Sequence, residues 1–208
     1  MEFSLFDYDD ANVDSILKYT EGIVGEKFID IIDKYQNSVY KSYDDFQTNT
    51  ISEKDFKEIS MKSKGQYGNY IEKYFYGYNP NSDRLADFEK VGIELKVTPF
   101  KVNKNGSIRA KERLVLTILN YMEENLDDFY STHLWEKCQK ILLLFYNGLI
   151  PSQTMADYII EKVFLFEWFT EDMDVILEDY KRITDKIKQG KAHELSESDG
   201  NYLSTCTK

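Results

Sequence analysis

Apolar side chains recur three or four positions apart through much of the amino-terminal part of the chain. This spacing predicts helices over residues 10–19 and 24–35. The polar stretch that follows has helical spacing only around residues 53–61. Residues 1–60 are therefore predicted to form a mainly helical amino-terminal part.

Two further segments carry helical spacing and end at a glycine. Residues 64–77 contain an apolar stripe rich in tyrosine, and Gly77 is predicted to end that helix before a loop at residues 79–82. Residues 171–189 predict a long helix near the carboxyl end, with Gly190 as its C-cap.

Alternation with a period of two marks the first predicted strand. Between residues 93 and 98, apolar side chains alternate with Glu94, Lys96 and Thr98, so these three polar residues share one face. The chain then predicts a hairpin with a type I′ turn at Asn105 and Gly106.

The remaining strands are predicted from residues 107–119, which return from the hairpin, and from 141–146 and 163–169, which are apolar enough for buried strands. Residues 123–129 predict an acidic turn or short helix. The order of helices, strand, hairpin, strands and helix predicts an α/β or α+β domain, in which helices flank a central mixed sheet.

The composition is that of one folded domain. The chain has 208 residues, of which 42% are hydrophobic and 15% aromatic, and 16 tyrosines dominate the aromatic set. A chain of this length can bury a sizeable core. We therefore expect an aromatic-rich core with tyrosine hydroxyls at its edge.

Cysteine and histidine are too scarce for several classes of site. Cys138 and Cys206 lack zinc-ligand spacing, and His133 and His193 lie far apart. A disulfide framework and a zinc module are disfavoured, and a reducing cytoplasm is favoured. No apolar run long enough to cross a membrane occurs. Metal chemistry would therefore use oxygen ligands and an ion such as magnesium.

Charge is distributed unevenly along this acidic chain. The formal net charge is −11, yet residues 95–120 contain six basic residues and one acidic residue. A basic strip on an acidic body is consistent with DNA binding, although a basic hairpin is also an ordinary surface. Lys96 belongs to the candidate catalytic site. The other five basic residues of this strip are the candidate DNA-binding residues: Lys101, Lys104, Arg109, Lys111 and Arg113.

The candidate site lies just before this strip. Glu94 and Lys96 share a strand face, and Asp87 lies seven residues before Glu94. If the chain turns Asp87 back toward them, two carboxylates and a lysine meet, as a divalent cation and a phosphodiester require. Charged residues on the outer face of a strand are also common in proteins without such a site.

Two long motifs around these residues resemble those of the MutH-like GATC endonucleases. The first comprises GQYGNYIEKYFYG, ADFEKVGIELKVTPFK and RAKERLVLTI, and the second begins at GKAHELSE and continues through NYLSTCTK. The pattern is most similar to the amino-terminal catalytic domain of the Sau-type restriction enzymes. The resemblance implies a PD-(D/E)xK restriction-endonuclease-like fold.

The resemblance also implies roles for the candidate residues. Asp87 and Glu94 correspond to the carboxylates that bind magnesium, and Lys96 to the lysine that orients the attacking water. Glu72 matches an additional acid on an amino-terminal helix. Lys137 matches a second active-site lysine of the nickase branch.

Two positions complicate this correspondence. Lys140 is a rival to Lys137, because the preceding residues align poorly. Ala86 stands where the motif usually has proline. Tyr202 and Lys208 fall in the second motif, and Lys208 is a further candidate DNA-binding residue.

The function implied is that of a magnesium-dependent type II restriction endonuclease acting on double-stranded DNA at GATC. The alternatives are a MutH-like mismatch-repair nickase and a non-catalytic DNA-binding or allosteric domain. Residues 1–208 would form a single MutH-like catalytic domain in the cytoplasm. We expect the elements that read the base sequence to lie beyond Lys208, in a further carboxyl-terminal segment. We also expect this domain to be capable of dimerising on DNA.

Overall fold

The structure, a computed structural model, describes residues 7–39, 66–78, 85–122, 125–149 and 155–206. The predicted helix at 53–61, the predicted loop at 79–82 and Lys208 lie outside the described residues. The chain groups into two compact units. The first unit comprises residues 1–83, 95–113 and 142–165, and the second comprises residues 84–94, 114–141 and 166–208.

Two helices open the first unit. α1 (Val13–Glu21) begins at the N-cap Asn12, whose side chain accepts the backbone N–H of Ser15. α2 (Phe28–Val39) begins four residues later than predicted. The reason is that the backbone before it bonds elsewhere: the Gly25 N–H donates to the Ile160 carbonyl at 2.8 Å.

The tyrosine-rich helix changes its winding partway along. α3 (Gln66–Tyr70) is α-helical, and Ile71–Tyr76 continues as a π-helix. Gly77 has a φ of 80°, a left-handed conformation that glycine adopts without strain, and its N–H donates to the Glu72 carbonyl. Gly77 therefore ends this helix as predicted, but the π-helix was not predicted.

Aromatic rings pack these helices together, as expected from the composition. The ring of Tyr19 stacks on that of Phe75 with centroids 4.5 Å apart, and its hydroxyl donates to the Phe75 carbonyl. Phe28 contacts Tyr67 and Tyr146 edge-on, with centroids 4.9 and 5.7 Å away. Buried rings supply large apolar area while tyrosine hydroxyls satisfy backbone carbonyls.

The strands are β1 (Ile93–Val102), β2 (Ile108–Ala110), β3 (Lys140–Asn147) and β4 (Ile160–Glu167). Within the described residues they form one four-stranded sheet in the order β2-β1-β3-β4. The sheet is mixed and flanked by helices, so the α+β prediction is confirmed.

The hairpin between β1 and β2 differs from the prediction in two ways. Only Gly106 of its turn has a positive φ, whereas a type I′ turn requires a second such residue at Asn105. The strand also ends at Ala110 rather than near residue 119. The next pair in this register still forms one bond, from the Lys111 N–H to the Pro99 carbonyl, but proline has no N–H to return the second bond, so the pairing ends here.

The burial predicted for the last strand is wrong. β4 lies at the end of the strand order, and most of its residues are exposed or half-buried, including Phe164, which is 42% exposed. An edge strand can carry apolar residues without being covered on both faces. β3, beside it, is largely buried, as predicted.

The second unit contains α4 (His133–Cys138), which was not predicted, and α5 (Met173–Lys188), which was. Short 3₁₀ turns lie before, between and after them, at Phe129–Ser131, Thr170–Asp172, Ala192–Glu194 and Glu197–Asp199. Gly190, with a φ of 73°, follows α5, and the N–H of Lys191 reaches back to the Lys186 carbonyl. This glycine termination was predicted. Among the described residues, no helix has the length and apolar character to span a bilayer.

The backbone at Gly148 packs closely against the end of the hairpin formed by β1 and β2. The Lys111 ammonium donates to the Gly148 carbonyl, and the Gly148 N–H donates to the Phe100 carbonyl at 2.9 Å. A Cβ at Gly148 would lie 2.9 Å from the Pro99 Cβ and 2.7 Å from the Lys111 Cδ. Glycine is therefore needed at position 148 for steric reasons.

We predict that Gly148→Ala lowers the free energy of unfolding by about 1–3 kcal/mol, because the proline ring cannot move aside freely. Urea denaturation measures this change. Combining Gly148→Ala with Lys111→Ala should recover part of the loss, since the shorter side chain removes one of the two clashes. A Gly148→Ala variant as stable as the parent would contradict this steric explanation.

Candidate active site

A tight turn at the start of β1 positions the candidate carboxylates. The Phe88 N–H donates to the Ile93 carbonyl and the Gly92 N–H to the Phe88 carbonyl, both at 2.9 Å. Gly92 has a φ of 66°, a left-handed conformation that a side chain would strain. Phe88 and Ile93 thereby form an isolated antiparallel bridge.

The register of this bridge brings Asp87 toward Glu94. In an antiparallel pair, the residue before one partner lies opposite the residue after the other, so residue 87 comes opposite residue 94. The chain thus turns back at this point, as the site hypothesis requires.

Glu94 does not lie on a solvated strand face. Its residue is 3% exposed, and neighbouring Leu95 is also buried, so both faces of β1 are covered at this point. A carboxylate out of water is costly unless charged or hydrogen-bonding groups compensate it. This burial distinguishes Glu94 from an ordinary surface acid.

Lys137 supplies a positive charge beside Glu94. Its Nζ lies 3.5 Å from the Glu94 Oε2, and the two side chains are 12% and 4% exposed. The same Nζ donates to the Leu85 carbonyl at 3.2 Å. Lys137 therefore connects the chain just before Asp87 with the first residues of β1.

The helix that carries Lys137 begins at a clear capping residue. Thr132 is the N-cap of α4, and its hydroxyl accepts the Trp135 N–H at 3.3 Å. The rival lysine follows this helix: the Lys140 Nζ lies 3.5 Å from the Glu167 Oε1, with both side chains at least a third exposed. Lys137, and not Lys140, forms the ion pair with Glu94.

Lys96 and Glu72 belong to the first unit. Lys96 is half-buried and lies two positions after Glu94 on β1, so the pleat places both side chains on one side of the strand. Glu72 is 8% exposed and lies in the π-helical segment. π-helical turns occur frequently at functional sites.

The predicted basic strip lies mainly on the hairpin arm formed by β1 and β2. Lys101 pairs in register with Arg109, and Lys104 lies in the exposed turn between the strands. Lys111 is exposed overall, but its ammonium is bonded to the Gly148 carbonyl. Arg113 is exposed beyond the strand.

The donor atoms near Glu94 suit a hard divalent cation. Magnesium keeps several water ligands and is typically bound by one or two carboxylates together with substrate phosphates. Within the described parts of the chain, no group of three or more His, Cys, Asp or Glu side chains could hold a metal ion. Asp87 and Glu94 supply two carboxylates, the protein ligands that such a magnesium site uses.

Two features around this site were not predicted from the sequence. The contact between Lys137 and the Leu85 carbonyl depends on tertiary folding. The helical geometry of residues 133–138 could have been predicted, because a threonine at position 132 is a typical N-cap.

Comparison with known proteins supports the resemblance stated above. The family model described as DNA mismatch repair enzyme MutH matches residues 76–179. The type II restriction enzyme Sau3AI of Staphylococcus aureus is 39% identical over 153 residues, which are 73% of this chain and 31% of that enzyme. The chain thus matches about a third of the length of this relative.

We predict that Lys137→Met destabilises the protein by about 2 kcal/mol or more, because it leaves the buried Glu94 carboxylate without its counter-charge. Lys140→Met is the matched control, and it should cost less than about 1 kcal/mol since it removes only a surface ion pair. Urea denaturation without divalent metal compares the two. Equal losses of stability in the two variants would show that the buried ion pair between Glu94 and Lys137 stabilises the protein no more than the surface pair does.

Proposed function

The chain belongs to the MutH family, and from this membership we propose that it is a magnesium-dependent type II restriction endonuclease domain. It hydrolyses phosphodiester bonds of double-stranded DNA at GATC, in the cytoplasm. The observation that carries the proposal is the buried Glu94 carboxylate at the start of β1, which has Asp87 opposite it and the Lys137 ammonium beside it.

Asp87 and Glu94 are the residues that hold magnesium in this proposal. When bound, the ion would polarise a phosphate oxygen and lower the pKa of a water molecule. Burial of Glu94 keeps competing water away from its carboxylate and strengthens its interaction with nearby cations. No nucleophilic side chain is needed, since water is the attacking group.

The lysines supply positive charge and hydrogen-bond donors. Lys96, on the same side of β1 as Glu94, donates to the attacking water and offsets the negative charge that develops on the phosphate. Lys137 keeps Glu94 oriented through the ion pair and holds the backbone at Leu85. Glu72 is proposed as an additional acid of the site on the family resemblance.

The hairpin arm is proposed to contact the DNA backbone. Lys101, Lys104 and Arg109 lie close together along its two strands and turn. Charges of this kind bind phosphates without reading sequence. Arg113 and Lys208 are proposed as further contacts, whereas Lys111 contributes less because its ammonium is already bonded to Gly148.

A mismatch-repair nickase is the second candidate, because the family model that matches is described as a mismatch repair enzyme. The 39% identity to a restriction enzyme favours cleavage of both strands. A non-catalytic DNA-binding domain is disfavoured, since Asp87, Glu94 and Lys96 are all present.

Cleavage of an unmethylated plasmid that contains GATC sites tests the proposal. With magnesium, the full-length protein should give linear fragments with ends at GATC, and EDTA should abolish cutting. Glu94→Gln and Lys96→Gln should each slow cleavage about a hundredfold or more. Glu89→Gln, which changes an exposed acid in the same turn, is the matched control and should cut like the parent.

Nicked circles as the final product would support the nickase instead. Cutting by Glu94→Gln at the rate of the parent would refute the assignment of the site.

Salt dependence tests the hairpin arm separately. Arg109→Ala should reduce the slope of log K against log salt concentration by about 1, because one phosphate contact is lost. Lys111→Ala should change that slope less, since its ammonium is engaged within the protein. Fluorescence anisotropy with a labelled duplex in calcium buffer measures both. If the salt dependence of binding is the same for Arg109→Ala as for the parent, Arg109 does not contact a DNA phosphate.

A further inference from the structure

The hairpin arm extends beyond the covered part of the sheet. Phe100 on β1 is 7% exposed, whereas all residues from 104 to 110 are exposed. β2 is the last strand in the order β2-β1-β3-β4, so within the described residues no strand covers its outer edge. The arm is therefore a two-stranded ribbon in water. Its strands are about 4.8 Å apart, and the major groove of DNA, about 12 Å wide, admits a ribbon of this kind.

The register of the hairpin sorts its side chains onto two different faces. Lys101 lies directly opposite Arg109, and the next pair toward the turn is Val102 opposite Ile108. Because side chains alternate along a strand, these two pairs lie on opposite faces of the ribbon. The arm therefore has a basic face and an apolar face near its tip.

The basic pair indicates an external anion. Like charges directly opposite each other on paired strands destabilise the pairing. Within the described parts of the chain, neither Lys101 nor Arg109 forms an ion pair with a carboxylate. No acidic residue occurs between residues 101 and 111. A bound phosphate would compensate this charge, and double-stranded DNA, the substrate in the proposed function, supplies phosphates.

The apolar pair lies in water next to the turn. Ile108 is 69% exposed and Val102 is 40% exposed. Single exposed apolar residues are ordinary, but these two are paired across the strands, on the face opposite to the basic pair. In the major groove, the apolar group that the bases present is the C5-methyl of thymine. The tip of the arm is therefore complementary to thymine methyl groups.

Hydrogen bonds within the turn hold the tip in one shape. The Asn103 N–H donates to the Ser107 carbonyl, and the Gly106 N–H donates to the Asn103 carbonyl, both at 2.9 Å. The Ser107 hydroxyl donates to the Asn105 Oδ1 at 2.7 Å. A tip that is already ordered loses less conformational entropy when it binds a ligand.

We propose that the hairpin arm enters the major groove of DNA, where Val102 and Ile108 contact thymine methyl groups. This inference rests on the proposed function and extends it, because the arm then contacts bases as well as the backbone. Lys101 and Arg109 have long side chains, which reach the phosphates along the groove from the face directed away from the bases. The apolar contact releases no counterions, so it adds affinity without adding salt dependence.

Replacing every thymine of a GATC duplex by uracil tests this contact, because uracil forms the same base pair and lacks the methyl group. Fluorescence anisotropy in calcium buffer measures the affinity of the full-length protein for both duplexes. Ile108→Ser and Val102→Ser remove apolar atoms from the tip, and both positions are exposed, so folding is retained. Ile118→Ser is the matched control, since Ile118 is 85% exposed and lies outside the hairpin.

The parent should bind the thymine duplex about fourfold more tightly than the uracil duplex, as expected for the burial of one methyl group. Ile108→Ser and Val102→Ser should each weaken binding to the thymine duplex and reduce this ratio to about twofold or less, because apolar contact is lost. Ile118→Ser should keep the ratio of the parent. Ile108→Ser should also keep the salt dependence of the parent, in contrast to Arg109→Ala.

The possible failures are distinguishable. If the full-length parent binds neither duplex, the proposed function fails, and so does this inference. If the parent binds both duplexes equally, or if both tip variants keep its ratio, DNA binding stands and the inference alone is wrong. A lower ratio in Ile118→Ser as well would also contradict it, because the effect would not depend on the tip. Partial unfolding of a variant does not change a ratio of two affinities.

Discussion

The burial of the Glu94 carboxylate is the constraint on which the candidate site depends. A charge at 3% exposure requires compensation, and Lys137 supplies it at 3.5 Å. Two pieces of local structure make this pairing possible. The turn at Gly92 sets the start of β1, and the Thr132 cap starts the helix that carries Lys137.

The same arrangement explains how the site combines stability with chemistry. Lys137 balances Glu94 while also holding the Leu85 carbonyl, so the approach to Asp87 is fixed by the residue that neutralises the buried charge. A site with two carboxylates and neighbouring lysines is close to neutral, which suits the binding of both a divalent cation and a phosphate. In the proposed function, the hairpin formed by β1 and β2 would attract DNA by charge without setting the geometry of the reaction.

Local patterns in the sequence predicted much of the fold. Helical spacing and the glycines at 77 and 190 gave the ends of two helices, because helix termination is a local property of the backbone. The returning strand after Asn105 was predicted too long, and the burial of β4 was predicted wrongly. Both errors arise because alternating or apolar residues do not reveal which backbone groups find partners or which strand lies at an edge.

For the site, the sequence could predict that Glu94 and Lys96 share a strand face, because side-chain alternation is local. Side-chain alternation could not predict that Glu94 is buried or that Lys137 lies beside it, since both depend on packing between residues far apart in the chain. Lys137 was predicted as a site residue only through the family resemblance. The bonds that the Asp179 carboxylate accepts from the backbone N–H groups of residues 201–203 were not predicted either, because backbone partners leave no signal in the side-chain pattern.

Magnesium-dependent thermal stability tests the central role of Glu94 most directly, because a ligand that binds the folded state raises the melting temperature. The melting temperature of the parent should rise with magnesium concentration, and that of Glu94→Gln should not, while Glu89→Gln should respond like the parent. An equal magnesium response in the parent and in Glu94→Gln would show that the buried carboxylate does not hold the ion.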